Sequence, residues 1–284
     1  MIQVASPASG KAEAPPRAVP AGTRALWMLL ALLPGAALAG WTLGSSFALR
    51  IGTLVGAIAV LDRLVAGRAR PGRWSAMPVL MAAIGVLWLP STMSWWATTV
   101  AAVVAWACAR AFAGLPGQAP FHPAMVGCAL ALVLFPPHVL PTAGMWQILG
   151  VAGAWFAAGI ALAATRCIRW QVPLAAWLGF AVAYGTWRAA GASPPDLELL
   201  WGSIPAFVLG AFLVASDPSS GCLAPRARWI FGGCIGVGSG LSMLVFHDVS
   251  SMFLGMAGSI LLANAAAPWL DRRFHPRRTM APNR

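Results

Sequence analysis

Long uncharged runs recur along this chain, separated by short clusters rich in Gly, Pro, Ser and Arg. Ten can be marked out, at roughly residues 25–43, 46–61, 77–89, 95–109, 124–140, 146–165, 172–187, 199–215, 229–246 and 249–270. Runs of this length and apolarity are the signature of membrane-spanning helices. Several fall short of the ~20 residues that a full crossing needs. Short segments interrupted by Gly or Pro, the third above all, are the expected form of discontinuous helices. The pattern therefore predicts an all-α integral membrane protein of about ten transmembrane helices, with re-entrant or broken segments.

Composition agrees, and charge adds an orientation. Hydrophobic residues make up 59% of the chain and charged residues 9%, against about 25% charged in a soluble domain. With ten spans and a cytoplasmic N-terminus, all of the nineteen basic residues except Arg50 and Arg188 fall in segments on the cytoplasmic side. That asymmetry predicts a multi-pass protein with both termini in the cytoplasm. It also accounts for the net charge of +12 through topology and the lipid bilayer, with no nucleic-acid partner. Residues 1–23, rich in Ala, Pro and Ser, read as a disordered cytoplasmic tail. Residues 24–271 form a single transmembrane domain and 272–284 a basic cytoplasmic tail. No polar loop is long enough for a large soluble domain, so exchange with soluble proteins is expected to pass through partner subunits. The five Cys show no paired C-x-x-C spacing and read as free thiols acting as small hydrophobes, with neither a zinc site nor an iron–sulfur cluster.

Against this background few groups can do polar chemistry, because an ionisable side chain in the membrane costs at least a few kcal/mol and tends to face a cavity. The candidates are His122, His138, Asp217 and the pair His247–Asp248. Ser216, Asp217 and Pro218 have the pattern of a helix start, with Ser or Asp as N-cap and Pro at the first position; the alternative puts the carboxylate in a cavity. His247 and Asp248 fit a solvated turn at the outer end of the ninth span, or a proton or ion relay. The stretch GLPGQAPFHPAMVGCALALVLFP (114–136) is the most unusual, since two Gly, three Pro and a lone His precede an uncharged run. It is either an ordinary interhelical loop or a re-entrant element whose helix starts at Pro123, leaving first-turn amides free for an anion or a flavin carbonyl edge.

That stretch resembles the GLGQNPFNPAM signature shared by the D-type membrane component of the Rnf electron-transport complex and the B-type component of the sodium-pumping NADH:quinone reductase, Nqr. GAFLVASDPSSGCLAPRARWIFGGCIGVGSGL, followed by ILLANAAAPWLDRRFHPRR, is similar to the terminal region of those proteins. RCIRWQVPLAAWLG matches their W-[RK]-[IV]-P turn. The resemblance implies a ten-helix fold of two related five-helix halves (about 24–141 and 142–271), similar in outline to urea and ammonium channels. It further implies an FMN joined to a Thr by a phosphoester, a second, non-covalent flavin in the Nqr relative, and a role in electron transfer tied to ion translocation. Phe121, His122, Asp217, Arg226 and Arg228 are then the candidate cofactor-binding residues, with Thr142 the one candidate for covalent FMN; no catalytic or metal-ligating residue is assigned.

Several positions depart from the family. Thr142 is the only Thr in the loop before the sixth span and lacks the surrounding Gly/Ser/Thr signature, which argues against covalent FMN and leaves non-covalent FMN or riboflavin. Ala119 and His122 stand where the family has two Asn, Arg73 where it has Asp, and Val79 where it has Thr. The reading that results is a membrane subunit of an Rnf/Nqr-like electron-transport complex, partnered by other subunits and supporting flavin-mediated electron transfer coupled to ion translocation. Two alternatives stand beside it: a small-solute permease or channel, and a cofactor-free scaffold or assembly subunit.

Overall fold

The computed structural model describes residues 21–69, 76–113, 119–138, 143–191 and 197–274, which form ten α-helices and no strand. In chain order these are α1 (Ala21–Leu43), α2 (Ser45–Ala69), α3 (Met77–Trp88), α4 (Trp95–Phe112), α5 (Pro123–Leu134), α6 (Met145–Ala164), α7 (Gln171–Ala189), α8 (Leu197–Leu209), α9 (Pro225–Val245) and α10 (Val249–Phe274). A π-helical turn, Gly210–Val214, continues α8. Among the described residues, α1, α4, α6, α8 with its π extension, α9 and α10 are each long and apolar enough to cross a membrane. The protein is thus an all-α, multi-pass membrane protein. Arg73, Thr142 and residues 1–20, 114–118 and 275–284 lie outside the described residues.

The short runs behave as their length requires. Helices α3 and α5 have 12 residues each and rise only ~18 Å, against a hydrocarbon core of ~30 Å. Neither can cross alone, so their ends must find polar partners inside the protein. Every residue of α3 from Pro78 to Trp88 is buried, with α1, α2, α4, α5 and α8 around it. Contacts between elements far apart in sequence include α1 against α6, α3 against α8 and its π turn, and α5 against α10.

The closest helix pair is α7 with α9, and the sequence shows why. Gly232 and Gly236 lie four apart on one face of α9, and Gly179 lies on the facing side of α7. A Cβ on Gly232 would sit 2.5 Å from the Val172 carbonyl oxygen, and one on Gly236 would fall inside the Ala176 backbone. Apolar lipid gives helices no hydrophobic reason to associate, so such small-residue seams supply the dispersion contact that holds them. Gly233, next to this seam, has open space where its Cβ would be.

Two boundaries move outward from the hydropathy runs, and both carry a carboxylate with them. The second run ends at residue 61, whereas α2 continues to Ala69 and takes Asp62 into the protein with 0% exposure. The last run ends at residue 270, whereas α10 continues to Phe274 and includes Asp271, Arg272 and Arg273. The two Arg occupy the last turn, where positive charge complements the free carbonyls of a helix end.

Candidate functional site

Helix α8 is disturbed before it ends. Pro205 lies inside it, and at Gly210 the hydrogen bonding slips to i→i+5, with the Ala215 N–H reaching the Gly210 carbonyl at 2.7 Å. The Ser216 hydroxyl donates to the Ala211 carbonyl at 2.8 Å. The turn is anchored to α6 through its own Phe212, whose ring meets Phe156 edge-on at 5.2 Å between centroids and fills the space that a side chain on Gly159 would occupy. Single π turns of this kind are frequent at functional sites.

The chain then turns instead of beginning a new helix, which corrects the expectation of a start at Ser216–Pro218. The Asp217 carboxylate folds back on its own backbone: Oδ1 accepts the Ser219 N–H at 3.1 Å and Oδ2 the Ser219 hydroxyl at 2.5 Å. A side chain that bonds the backbone two residues on makes an Asx turn, which competes with helix capping for the same residue types. The next helix waits until Pro225, with Ala224 as its N-cap residue. Its capping acceptor comes from the far end of α10, where the Asp271 carboxylate accepts the Leu223 N–H at 2.9 Å and the Ala224 N–H at 2.8 Å.

Against this turn lies the segment that leads into α5. The Ala119 N–H donates to the Ser219 carbonyl at 2.9 Å, so two stretches about 100 residues apart share a main-chain hydrogen bond. The re-entrant reading of residues 114–136 thus gains support from their described part, and Pro123 stands at the first position of α5 with His122 as N-cap residue. His122 places Nε2 3.8 Å from Asp217 Oδ2, and both side chains have 0% exposure. Neither ring nitrogen of His122 has a hydrogen-bond partner, nor does the buried Ser220 hydroxyl.

Of the candidate cofactor-binding residues, then, the fold brings two together, His122 and Asp217. Phe121, 37% exposed, sits at the surface and not beside its neighbour. Arg226 is exposed. Arg228 is half-buried and donates to the Leu223 carbonyl at 2.5 Å and to the Cys222 carbonyl at 3.4 Å; its guanidinium ties down the loop before α9. His138, His247 and Asp248 are exposed near one another. Asp248 caps α10 by accepting the Ser251 N–H at 2.8 Å. That bond, with the His138 charge as a lesser cause, holds its carboxyl below the usual carboxylate range.

Three further groups escaped the sequence reading. Arg169, between α6 and α7, donates to the Cys222 carbonyl and pins the same loop. Arg50 is buried under the α3–α4 loop and donates to the carbonyls of Ser91 and Met93. Asp62 accepts Trp106 Nε1 at 2.9 Å and Arg110 at 3.2 Å through Oδ1, while its buried Oδ2 has no partner. Trp106 and Arg110, four apart on α4, share one helix face. A carboxylate one residue past an apolar run, with an Arg at helical spacing elsewhere, was the signal available.

Whether the site suits a flavin can be tested on its shape. The His122 and Asp217 side chains are both unexposed, and Phe121, the planar candidate for stacking, is 37% exposed. The aromatic-lined cavity between Phe47, Trp88, Trp155 and Phe253 has a volume of about 70 Å³, where ligand pockets run to ~300–1,000 Å³. Neither of these two places has room for an isoalloxazine ring.

The chain matches the NQR2, RnfD, RnfE family over residues 18–149 and 141–280. It is 28% identical to the D-type component of the ion-translocating oxidoreductase complex of Ectopseudomonas mendocina, over 89% of this chain and 90% of that protein. It is equally 28% identical to the component of the same name from Marinobacter nauticus, over 92% of each. A third, from Citrobacter koseri, is 33% identical over 46% of this chain and 36% of that protein. With nearly its whole length matched, this chain belongs to the NQR2, RnfD, RnfE family.

Proposed function

We propose that this chain is the D-type membrane component of an ion-translocating oxidoreductase complex in the bacterial inner membrane, associated there with the other subunits. Its part is to supply the membrane scaffold for flavin-mediated electron transfer and the buried polar junction that handles the translocated ion. The observation that carries this reading is the His122–Asp217 pair, 3.8 Å apart and unexposed, where two interrupted segments meet. An ionisable pair is not kept in such a place for stability, because a buried ion pair is often no better than apolar packing. In discontinuous membrane helices such a junction is the expected position of an ion site.

Three finer statements belong to the same proposal. The chain consists of two five-helix halves, about 24–141 and 142–271. Both termini face the cytoplasm, because only Arg50 and Arg188 of the basic residues then lie outside; topology reporters fused after Arg188 and at Arg284 report opposite sides if this is right. Any flavin of the complex is non-covalent with respect to this chain, since Thr142 lacks the context for attachment. A fluorescent band on a denaturing gel after co-expression with a flavin transferase, abolished by Thr142→Val, would overturn that.

The central test is assembly and turnover. The tagged chain should co-purify with the other subunits, and His122→Ala and Asp217→Asn should impair ion-coupled electron transfer in membrane vesicles at near-normal yield. A chain that purifies alone, or variants with full coupled activity, would refute the proposal. Solute flux through the isolated chain in liposomes would favour a permease instead.

A further inference from the structure

We infer that the junction between the two interrupted segments binds a proton, on the imidazole of His122 beside the Asp217 carboxylate, and not an alkali cation. This deepens the ion-handling role proposed above and rests on it for its physiological meaning. Broken membrane helices coordinate alkali cations through main-chain carbonyls released from helical pairing. Here several of those carbonyls are already engaged. Gly210 O accepts Ala215 N at 2.7 Å, Val214 O accepts Asp217 N at 3.2 Å, Asp217 O accepts Gly221 N at 3.2 Å, and Ser219 O accepts Ala119 N at 2.9 Å. Ala211 O accepts the Ser216 hydroxyl, and His122 O accepts the amides of Met125 and Val126. The one carboxylate has both oxygens bonded to Ser219. Among the described residues, no three His, Cys, Asp or Glu gather as a metal site, whereas a hard cation wants about six oxygens.

What the junction does leave open is a base. A neutral imidazole carries one ring nitrogen with a lone pair, and in His122 both nitrogens are buried without a partner. One proton from water fills that lone pair; no bond breaks and no redox partner is needed. The Asp217 carboxylate 3.8 Å away favours the imidazolium over the neutral ring. The surroundings contain little else to answer the ring. Helix α3 has no ionisable residue, Arg110 on α4 is committed to Asp62, and Asp271 on α10 is committed to the amides before α9. The basic pair Arg272 and Arg273 sits in the last turn of α10. Arg169, on the α6–α7 loop, lies within electrostatic reach of Asp217, and Arg228 on α9 faces Cys222 and Leu223.

The test uses the purified full-length chain labelled with ¹⁵N-histidine. The chain has four His, and the signal lost in His122→Gln belongs to the buried one. Its nitrogen shifts should move from neutral to imidazolium values as pH is lowered. In Asp217→Asn the midpoint should drop by about one to three pH units, or below the accessible range, because the carboxylate that favours the cation is gone. Adding sodium at fixed pH should leave the signal in place. A His122 signal that never titrates, one that titrates identically in Asp217→Asn, or one that moves with sodium would overturn the inference. Loss of co-purification with the other subunits alongside a normal titration would count against the proposed function alone, leaving the proton site standing.

Discussion

Replacing Asp217 separates a turn from a helix cap and gives the site its sharpest stability test. In Asp217→Ala the Ser219 N–H and hydroxyl lose a charged acceptor, at 3.1 and 2.5 Å respectively. Hydrogen bonds to charged groups contribute about 1.5–3 kcal/mol each. Ser219 is only partly buried, so its freed groups reach other partners and the lower end applies, for a loss of about 3 kcal/mol in total. In Asp217→Asn the amide oxygen still accepts the Ser219 N–H, and the hydroxyl can rotate to accept from the new amide nitrogen. Two charged bonds become two neutral ones, a loss of about 1 kcal/mol. An ordinary N-cap behaves differently: Asn would be silent and Ala would cost about 1 kcal/mol. Thermal unfolding of the detergent-solubilised chain reads the difference, at about 2–3 °C per kcal/mol for a chain of this size. His122→Leu completes the series. Because the ring nitrogens have no partner, an apolar replacement of similar bulk, melted at a pH where the ring is neutral, should lie within about 1 kcal/mol of the wild type. A silent Asp217→Asn with a mild Asp217→Ala would refute the turn, and a His122→Leu loss above about 3 kcal/mol would show that the ring makes a strong polar bond after all.

Gly236→Ala should force α7 and α9 apart and cost about 1–3 kcal/mol, whereas Gly233→Ala, with open space at its Cβ, should be neutral or stabilising by up to about 1 kcal/mol through helix propensity; parallel melts of the two variants check this. Asp62→Asn should weaken the link between α2 and α4 by about 1 kcal/mol, reduced because Arg110 keeps 29% side-chain exposure, and a double-mutant cycle with Arg110→Ala should show coupling of that size. Asp248 has a carboxyl held low by the Ser251 N–H, so its contribution is fully present above the unfolded-state value and is lost as pH falls through the lower folded value. Hydrogen exchange at the start of α10 should accelerate over that acid window in the wild type, and Asp248→Ala should remove the pH dependence.

Much of this protein can be read along the chain because a bilayer acts on local properties. Ten apolar runs became ten helices near their expected places, since a helix in lipid satisfies its own backbone and needs only length and hydropathy to be recognised. The interruption before Pro123 was equally visible, because Gly and Pro act on their own φ, ψ and N–H, whatever surrounds them. Even the run 77–89 announced by its shortness that its helix could not span alone. The partners were different. That Ser219 takes up both Asp217 and the Ala119 amide, that Asp271 caps a helix whose first residues lie more than 40 positions before it, and that Asp62 is drawn inside to meet Trp106 and Arg110 are decided by which helices lie side by side. Hydropathy placed Asp62 and Asp271 just outside their runs because each charge ended the apolar average. Tertiary packing brought them inside because each found donors there, and the free energy of a buried carboxylate depends on the partners it meets across the fold.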